Sequence, residues 1–301
     1  MRPLPLRALA LAAAAVLLGG CAAGGSTPDG GRGTPSAHIS HSGGPATGTE
    51  RRAAPARPWN VRPPTVAALG DSITRGFDAC HPLSDCPQVS WATGSRQKVD
   101  SVSERLGTSG SWNLAQSGAH VADLPAQARA AAAHRPAMVT VLIGANDACA
   151  PDVGSMTPVA DFRASFAGAL AYLHRALPAT QVLVASVPDL QRLWSVGRSN
   201  LLGREVWKLG LCPTMLDDPT SDDAAARARR TAVRDREVAY NSVLGQVCGQ
   251  YVRCRYDGGA VFRYPFGTGD LSTWDWFHPN ERGQSALARI LAGVAQGANP
   301  P

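Results

Sequence analysis

The stretch Thr65-Val66-Ala67-Ala68-Leu69-Gly70-Asp71-Ser72-Ile73-Thr74 decides how this chain is read. Its first half is an apolar run closed by Gly70, which predicts a buried strand. A glycine, a carboxylate and a serine at the carboxyl end of such a strand sit where open α/β sheets place their ligands. At this point Ser72 has two readings, the N-cap of the next helix or a nucleophile. The rest of the chain has to separate them.

Working outward, further strands are expected at 112–115, 138–143, 181–187 and 251–254. Helices are expected at 88–106, 122–133, 159–177, 226–247 and 281–295. Val159, Phe162, Phe166, Leu170, Leu173 and Leu177 recur at three- and four-residue steps, the mark of an amphipathic helix. Leu287, Ile290, Leu291 and Val294 do the same behind the cap residue Asn280. Strands alternating with helices predict an α/β fold with a parallel sheet covered on both faces. The arginines 227, 229, 230, 234 and 236 read as the solvated face of their helix. Residues 189–223 break the alternation and contain Trp194, Leu201, Leu202, Trp207, Leu209, Leu211 and Met215. They are expected to form a lid or pocket wall, or else a small extra layer of core.

The first twenty residues have the form of a signal peptide, with Arg2 and Arg7 ahead of an apolar run over 8–18 that is too short to span a bilayer. Leu18-Gly19-Gly20-Cys21 resembles the lipobox of bacterial lipoproteins, in which Cys21 would be lipidated. Cleavage after Ala23 is the competing reading. Residues 21–63 are then a Gly-, Ser-, Thr-, Pro- and Arg-rich tether unable to bury enough surface to order itself. Such a tether would reach roughly 35 Å. The domain proper is expected over 64–301, outside the cell and held to the outer membrane face only through the anchor.

Of the formal charge of +6, Arg2 and Arg7 supply two, and the tether, with five arginines against Asp29 and Glu50, supplies three. The domain is left at +1, which excludes a nucleic-acid footprint. Its length fits a single domain, and a monomer is expected. Setting Cys21 aside leaves six cysteines, an even set that in an exported chain predicts disulfides. Of fifteen possible connectivities the preferred one is Cys80–Cys86, Cys149–Cys212 and Cys248–Cys254, two of these pairs being close in sequence. Free buried thiols are the alternative. No pair has zinc-site spacing, so no structural metal is expected.

A serine nucleophile needs a base, and the base needs an orienting partner. His38 and His41 fall in the tether, and His81, His120, His134 and His174 have no evident partner. His278, in Trp274-Asp275-Trp276-Phe277-His278-Pro279, has Asp275 three residues upstream. One turn would set that carboxylate on the imidazole and leave the other ring nitrogen for a serine, with the aromatic residues shielding the pair from water. An aromatic core turn with an incidental ion pair would show the same spacing. Two other strand ends offer donors for an oxyanion: Asn113-Leu114-Ala115-Gln116-Ser117-Gly118 and Gly144-Ala145-Asn146-Asp147. Asn146 by itself reads equally well as a turn residue.

Ser72 in Gly-Asp-Ser, Gly118 after a strand, Asn146 in Gly-Ala-Asn-Asp, and Asp275-x-x-His278 stand in an order that resembles the SGNH/GDSL hydrolases, a family of esterases and lipases. The resemblance covers residues 65–296, with Ile73 where the family's motif has leucine. It implies a three-layer α/β/α, flavodoxin-like fold with a five-stranded parallel sheet, and no metal or organic cofactor. It further implies Ser72 as nucleophile, His278 as base and Asp275 as orienting acid. The oxyanion hole would be the N–H groups of Ser72 and Gly118 with the Asn146 amide. Val121-Ala122-Asp123-Leu124-Pro125 and Val187-Pro188-Asp189-Leu190 look like secreted actinobacterial and phospholipase-B-like members. The expected function is hydrolysis of small-molecule or lipid carboxylic esters. A carbohydrate O-acetyl esterase and a non-catalytic binding lipoprotein are the alternatives.

Overall fold

The structure, a computed structural model, describes residues 58–297. The expected signal peptide, Cys21 and the tether as far as residue 57 lie outside them. Five parallel strands form one sheet in the order β2-β1-β3-β4-β5. They are β1 (Thr65–Gly70), β2 (Gly110–Asn113), β3 (Met138–Leu142), β4 (Gln181–Val184) and β5 (Cys254–Tyr256). Two short helices, α1 (Ser72–Arg75) and α2 (Val102–Arg105), precede β2; α3 (Leu124–His134) and α4 (Ala145–Ala148) flank β3. Helix α5 (Val159–Ala176) leads to β4, which is followed by α6 (Leu190–Gly197), α7 (Leu201–Trp207), α8 (Pro213–Leu216) and α9 (Ala224–Cys248). The chain ends with α10 (Ala260–Arg263) and α11 (Glu281–Ala295).

The central strands β1, β3 and β4 are buried on both faces, and this is why they read as apolar runs rather than as alternations. The edge strands β2 and β5 are only partly buried. Right-handed crossovers place α3, α5 and α9 on one face, where they pack in succession; α2 and α11 pack together on the other. The result is the expected three-layer α/β/α sandwich. Strand order reverses between β1 and β3, so a ligand crevice is expected outside the carboxyl ends of those two strands.

Two expectations need correction, the helix at 88–106 and the solvated arginine face. The helix expected over 88–106 is reduced to a single 3-10 turn (Pro87–Val89) and the four-residue α2. Its backbone is claimed elsewhere: Trp91 N donates to the Gln284 side chain at 2.8 Å, Val102 N donates to Trp91 O, and Arg96 N reaches back to Gln88 O. Residues 189–223 fit the readings given for them: three helices, α6 to α8, put Trp194, Trp207 and Met215 in the core, and Gly210–Cys212 line the cavity described below.

The arginine cluster of α9 is not a solvated face. Arg230 is buried with its guanidinium 4.1 Å from the Trp194 ring centre, and Arg234 pairs with Asp189. Arg229 donates to Pro213 O and Thr214 O, and Arg236 to Met156 O and Thr157 O. These side chains fasten the inserted helices and the loop before α5 onto α9.

Residues 59 and 60, on the tether side of the expected boundary at 64, contact the domain. Trp59 Nε1 donates to Ala295 O at 2.8 Å, and the Arg255 guanidinium lies 4.3 Å from the Trp59 ring centre. Asn60 exchanges two hydrogen bonds with the Gln181 side chain at the start of β4. Among the described residues no helix is long and apolar enough to cross a membrane.

Candidate active site

Strand β1 ends in a turn that only glycine can make. Gly70 has φ +146°, and a Cβ there would stand 2.2 Å from Leu142 O of β3. The Gln127 side chain on α3 holds this residue from both sides, accepting from Gly70 N at 2.8 Å and donating to Gly70 O at 2.9 Å. Asp71, not Ser72, then caps α1, its Oδ1 accepting from Ile73 N at 2.9 Å. The capping reading of Ser72 is thereby removed, because Ser72 is the first residue of the helix.

The Ser72 hydroxyl lies 2.9 Å from His278 Nε2, and His278 Nδ1 lies 2.5 Å from Asp275 Oδ2. Ser72, His278 and Asp275 are 8%, 7% and 3% exposed, so the relay is shielded from water but reachable at the serine end. Asp275 Oδ1 accepts from the N–H groups of Phe277 and His278, which fixes the carboxylate plane. The turn carrying them is closed by Ser272 N to His278 O at 2.8 Å and by the bridge of Leu271 to Pro279. Trp207 Nε1 donates to Asp275 O at 2.7 Å, so the inserted helices also hold this turn. Shielding by the local aromatics is partial. Phe277 meets the imidazole edge-on and Trp276 packs over Gly203, but Trp274 is 48% exposed. The missing wall is Phe77, whose ring lies 5.1 Å from the imidazole.

Burial opposes charge on His278, yet the facing Asp275 carboxylate, with Asp78 and Asp71 behind it, raises its pKa above the ordinary value. Burial likewise works to raise Asp275, but the histidine's charge and hydrogen bond, with the two amides, hold it below the usual carboxylate range. Asp71 is pushed up to about 7, chiefly by complete burial. Asp78 is pushed up to about 6, by burial and then by the neighbouring Asp275 carboxylate.

Gly118 and Asn146 line the same cavity as Ser72 and His278, a space of about 260 Å³ completed by Ile73, Phe77, Leu211 and Phe277 and by the Cys149–Cys212 disulfide. Gly118 has φ +81° with open space where a Cβ would stand, so its backbone is approachable. Asn146 Nδ2 donates to Ala119 O at 2.9 Å, which couples the two loops. Asp147, buried next to it, accepts from Val121 N at 2.9 Å and lies 3.8 Å from His120 Nδ1. His120 therefore does have a charged neighbour, and the Asp147 carboxylate raises its pKa. The sequence carried no sign of this pairing, because the partners lie 27 residues apart on neighbouring loops.

All three expected cysteine pairs, Cys80–Cys86, Cys149–Cys212 and Cys248–Cys254, are joined. Among the described residues, potential metal ligands converge only where Asp78, Asp275 and His278 meet. There the imidazole Nδ1 and the Asp275 oxygens are already committed to each other and to backbone amides, so the donor set fits a proton relay better than a cation site.

The family profile described as GDSL-like Lipase/Acylhydrolase matches residues 66–291, from the first strand into the last helix. Among solved structures, an α/β hydrolase enzyme from the metagenome of Lake Arreo, Spain, is 21% identical over 79% of this chain and 96% of its own, with a TM-score of 0.48. The acetylxylan esterase Axe2 from Geobacillus stearothermophilus is 18% identical over 78% and 94%, with a TM-score of 0.48. An extracellular lipase from Streptomyces rimosus is 17% identical over 76% and 99%, with a TM-score of 0.44. No curated protein matches the sequence significantly. The profile spans most of the chain and takes in the sheet with the loops that carry the site; the protein belongs to the GDSL-like lipase/acylhydrolase family of serine ester hydrolases.

Proposed function

We propose that the protein cleaves carboxylic esters through Ser72, His278 and Asp275. The observation that carries this reading is the unbroken contact from Ser72 Oγ to His278 Nε2 and from His278 Nδ1 to Asp275 inside one cavity. Ser72 Oγ attacks the ester carbonyl carbon while its proton passes to His278 Nε2. The carbonyl oxygen, now an anion, is met by the N–H groups of Ser72 and Gly118 and by the Asn146 amide. The C–O bond to the alcohol breaks as His278 returns the proton to the departing oxygen, leaving an acyl-serine. Water, deprotonated by His278, then releases the acid and restores the serine. Asp275 stays ionised throughout and supports the imidazolium.

The cavity supports a short to medium acyl group. Its wall is mainly apolar, and about 260 Å³ falls below the roughly 300–1,000 Å³ typical of sites that enclose a drug-sized ligand. Ser72→Ala should abolish both hydrolysis of a p-nitrophenyl ester and labelling by a fluorophosphonate; full retention of either overturns the assignment. An ester panel from acetyl to palmitoyl, with a phospholipid, reads the acyl preference. Acetate release from acetylated glycans without turnover of longer esters would favour the carbohydrate esterase instead.

The same proposal includes export, with a signal peptide over 1–20, a lipidated Cys21, a tether, and a domain working outside the cell. The three disulfides support an oxidising compartment. Mass spectrometry of the mature N-terminus tests it, and an unmodified chain still carrying residues 1–20 would exclude it.

A further inference from the structure

Asp78 lies outside every motif that led to the site, yet it faces the back of the relay. One carboxylate oxygen of Asp78, one of Asp275 and a ring nitrogen of His278 lie within 4.8 Å of one another. Asp78 is 3% exposed and takes a left-handed backbone conformation, φ +55°, unusual for a residue other than glycine. Its backbone is pinned on two sides, by Asp78 N to Ser84 O at 3.0 Å and by Ser272 Oγ to Asp78 O at 2.7 Å. The second of these bonds comes from the turn that carries Asp275 and His278. The Cys80–Cys86 disulfide closes the loop that follows.

A purely local role accounts for half of this side chain. Asp78 Oδ1 accepts from Leu83 N, as an aspartate that shapes a turn does. That leaves unexplained why a second carboxyl is buried against one already paired with a histidine, at a strained backbone position. Like charges at that distance cost free energy unless they share a proton or face a cation. Here the cation is the imidazolium that forms at His278 during each half of the reaction.

We propose that Asp78 is a positioning residue for this hydrolase, a second carboxyl that braces Asp275 from behind and strengthens His278 as a base. The inference rests on the triad reading above. The charged groups that face His278 are Asp275 on its own turn, Asp78 on the loop after α1, and Asp71 on the nucleophile turn; Asp78 itself faces Asp275 and His278. Asp78 titrating near pH 6 fits this role, because below that pH the neutral carboxyl can donate a hydrogen bond to Asp275. Above it, the second negative charge favours a proton on the imidazole.

Asp78→Asn separates the two roles. Asparagine keeps an oxygen for Leu83 N and puts a neutral amide donor where the anion faced Asp275. The pH profile of kcat/KM should then have its acid limb moved down by about 0.5–1 pH unit, because His278 loses a neighbouring anion. At pH 8, kcat should fall about 3–10-fold with KM unchanged, the weaker base being the poorer proton acceptor. An unmoved acid limb in a folded Asp78→Asn protein, with or without a lower kcat, overturns the proposal. If the variant does not fold, the wild-type chain supplies the test by NMR titration of the His278 ring. A second inflection near pH 6, besides the ring's own, is expected, and a single inflection overturns the role. The NMR reading does not depend on turnover, so failure of the Ser72 assignment and failure of this inference remain distinguishable.

Discussion

In the proposed mechanism Asn146 does two things with one amide. One N–H of Nδ2 is spent on Ala119 O, which fixes the side chain, and under that proposal the other meets the substrate oxygen in the cavity. Asn146→Ala should therefore lower kcat about 10²–10³-fold with little effect on KM, as loss of an oxyanion donor does. Steady-state kinetics checks this, and a loss under about threefold removes Asn146 from that role. At this scale the sequence was most informative where partners are local. Asp275 and His278 share one turn, so their pairing could be read from a three-residue spacing. Ser72 announced itself through the glycine and aspartate before it. Asp78, Phe77 and the His120–Asp147 contact were not legible, since each acquires its meaning from a partner elsewhere in the chain. Nothing in a lone aspartate says that it will lie beside a carboxylate brought in from the opposite end of the chain.

The inserted helices α6 to α8 belong to the site as much as to the core. Their last connection, Gly210–Cys212, walls the cavity, and Cys212 is tied to Cys149 just after α4. Replacing both cysteines by serine opens a link between positions 63 residues apart, worth roughly 4 kcal/mol in the chain-entropy view. Urea unfolding should show a loss of that order. KM for an acyl ester should rise while kcat is largely kept, because the relay itself is untouched. Amphipathic α5 and α11 were legible because a 3.6-residue period survives any tertiary context. The segment 88–106 misled because its polar and glycine residues are weak helix formers, and buried partners such as Gln284 outbid the local ladder. The arginines of α9 misled for the converse reason. Charge normally signals solvent, but these side chains find carbonyls, a carboxylate and an indole on the helices laid over them.

For the molecule as a whole, the sheet was the most predictable part. Strands buried on both faces leave continuous apolar runs, whereas the edge strands, only partly buried, lie two or three residues from where the pattern set them. The contacts of Trp59 and Asn60 were not legible, because the Pro-, Arg- and Asn-containing residues around Trp59 carry no periodic signal. A chain starting at Pro64 loses the Trp59 indole and both Asn60 contacts. It should melt about 2–8 °C lower than one starting at Pro58, taking roughly 1–2 kcal/mol for these contacts and about 2–4 °C per kcal/mol at this size. Thermal unfolding of the two chains decides it. The same strap has a mechanical consequence. In a parallel sheet all strand starts lie at one pole and all strand ends at the other. Trp59 and Asn60 reach the body beside the starts of β1 and β4, whereas Ser72, Gly118 and Asn146 follow the ends of β1, β2 and β3. A pull applied at Pro58 thus first meets an indole, a guanidinium and a glutamine at the pole opposite the loops that carry Ser72, Gly118 and Asn146.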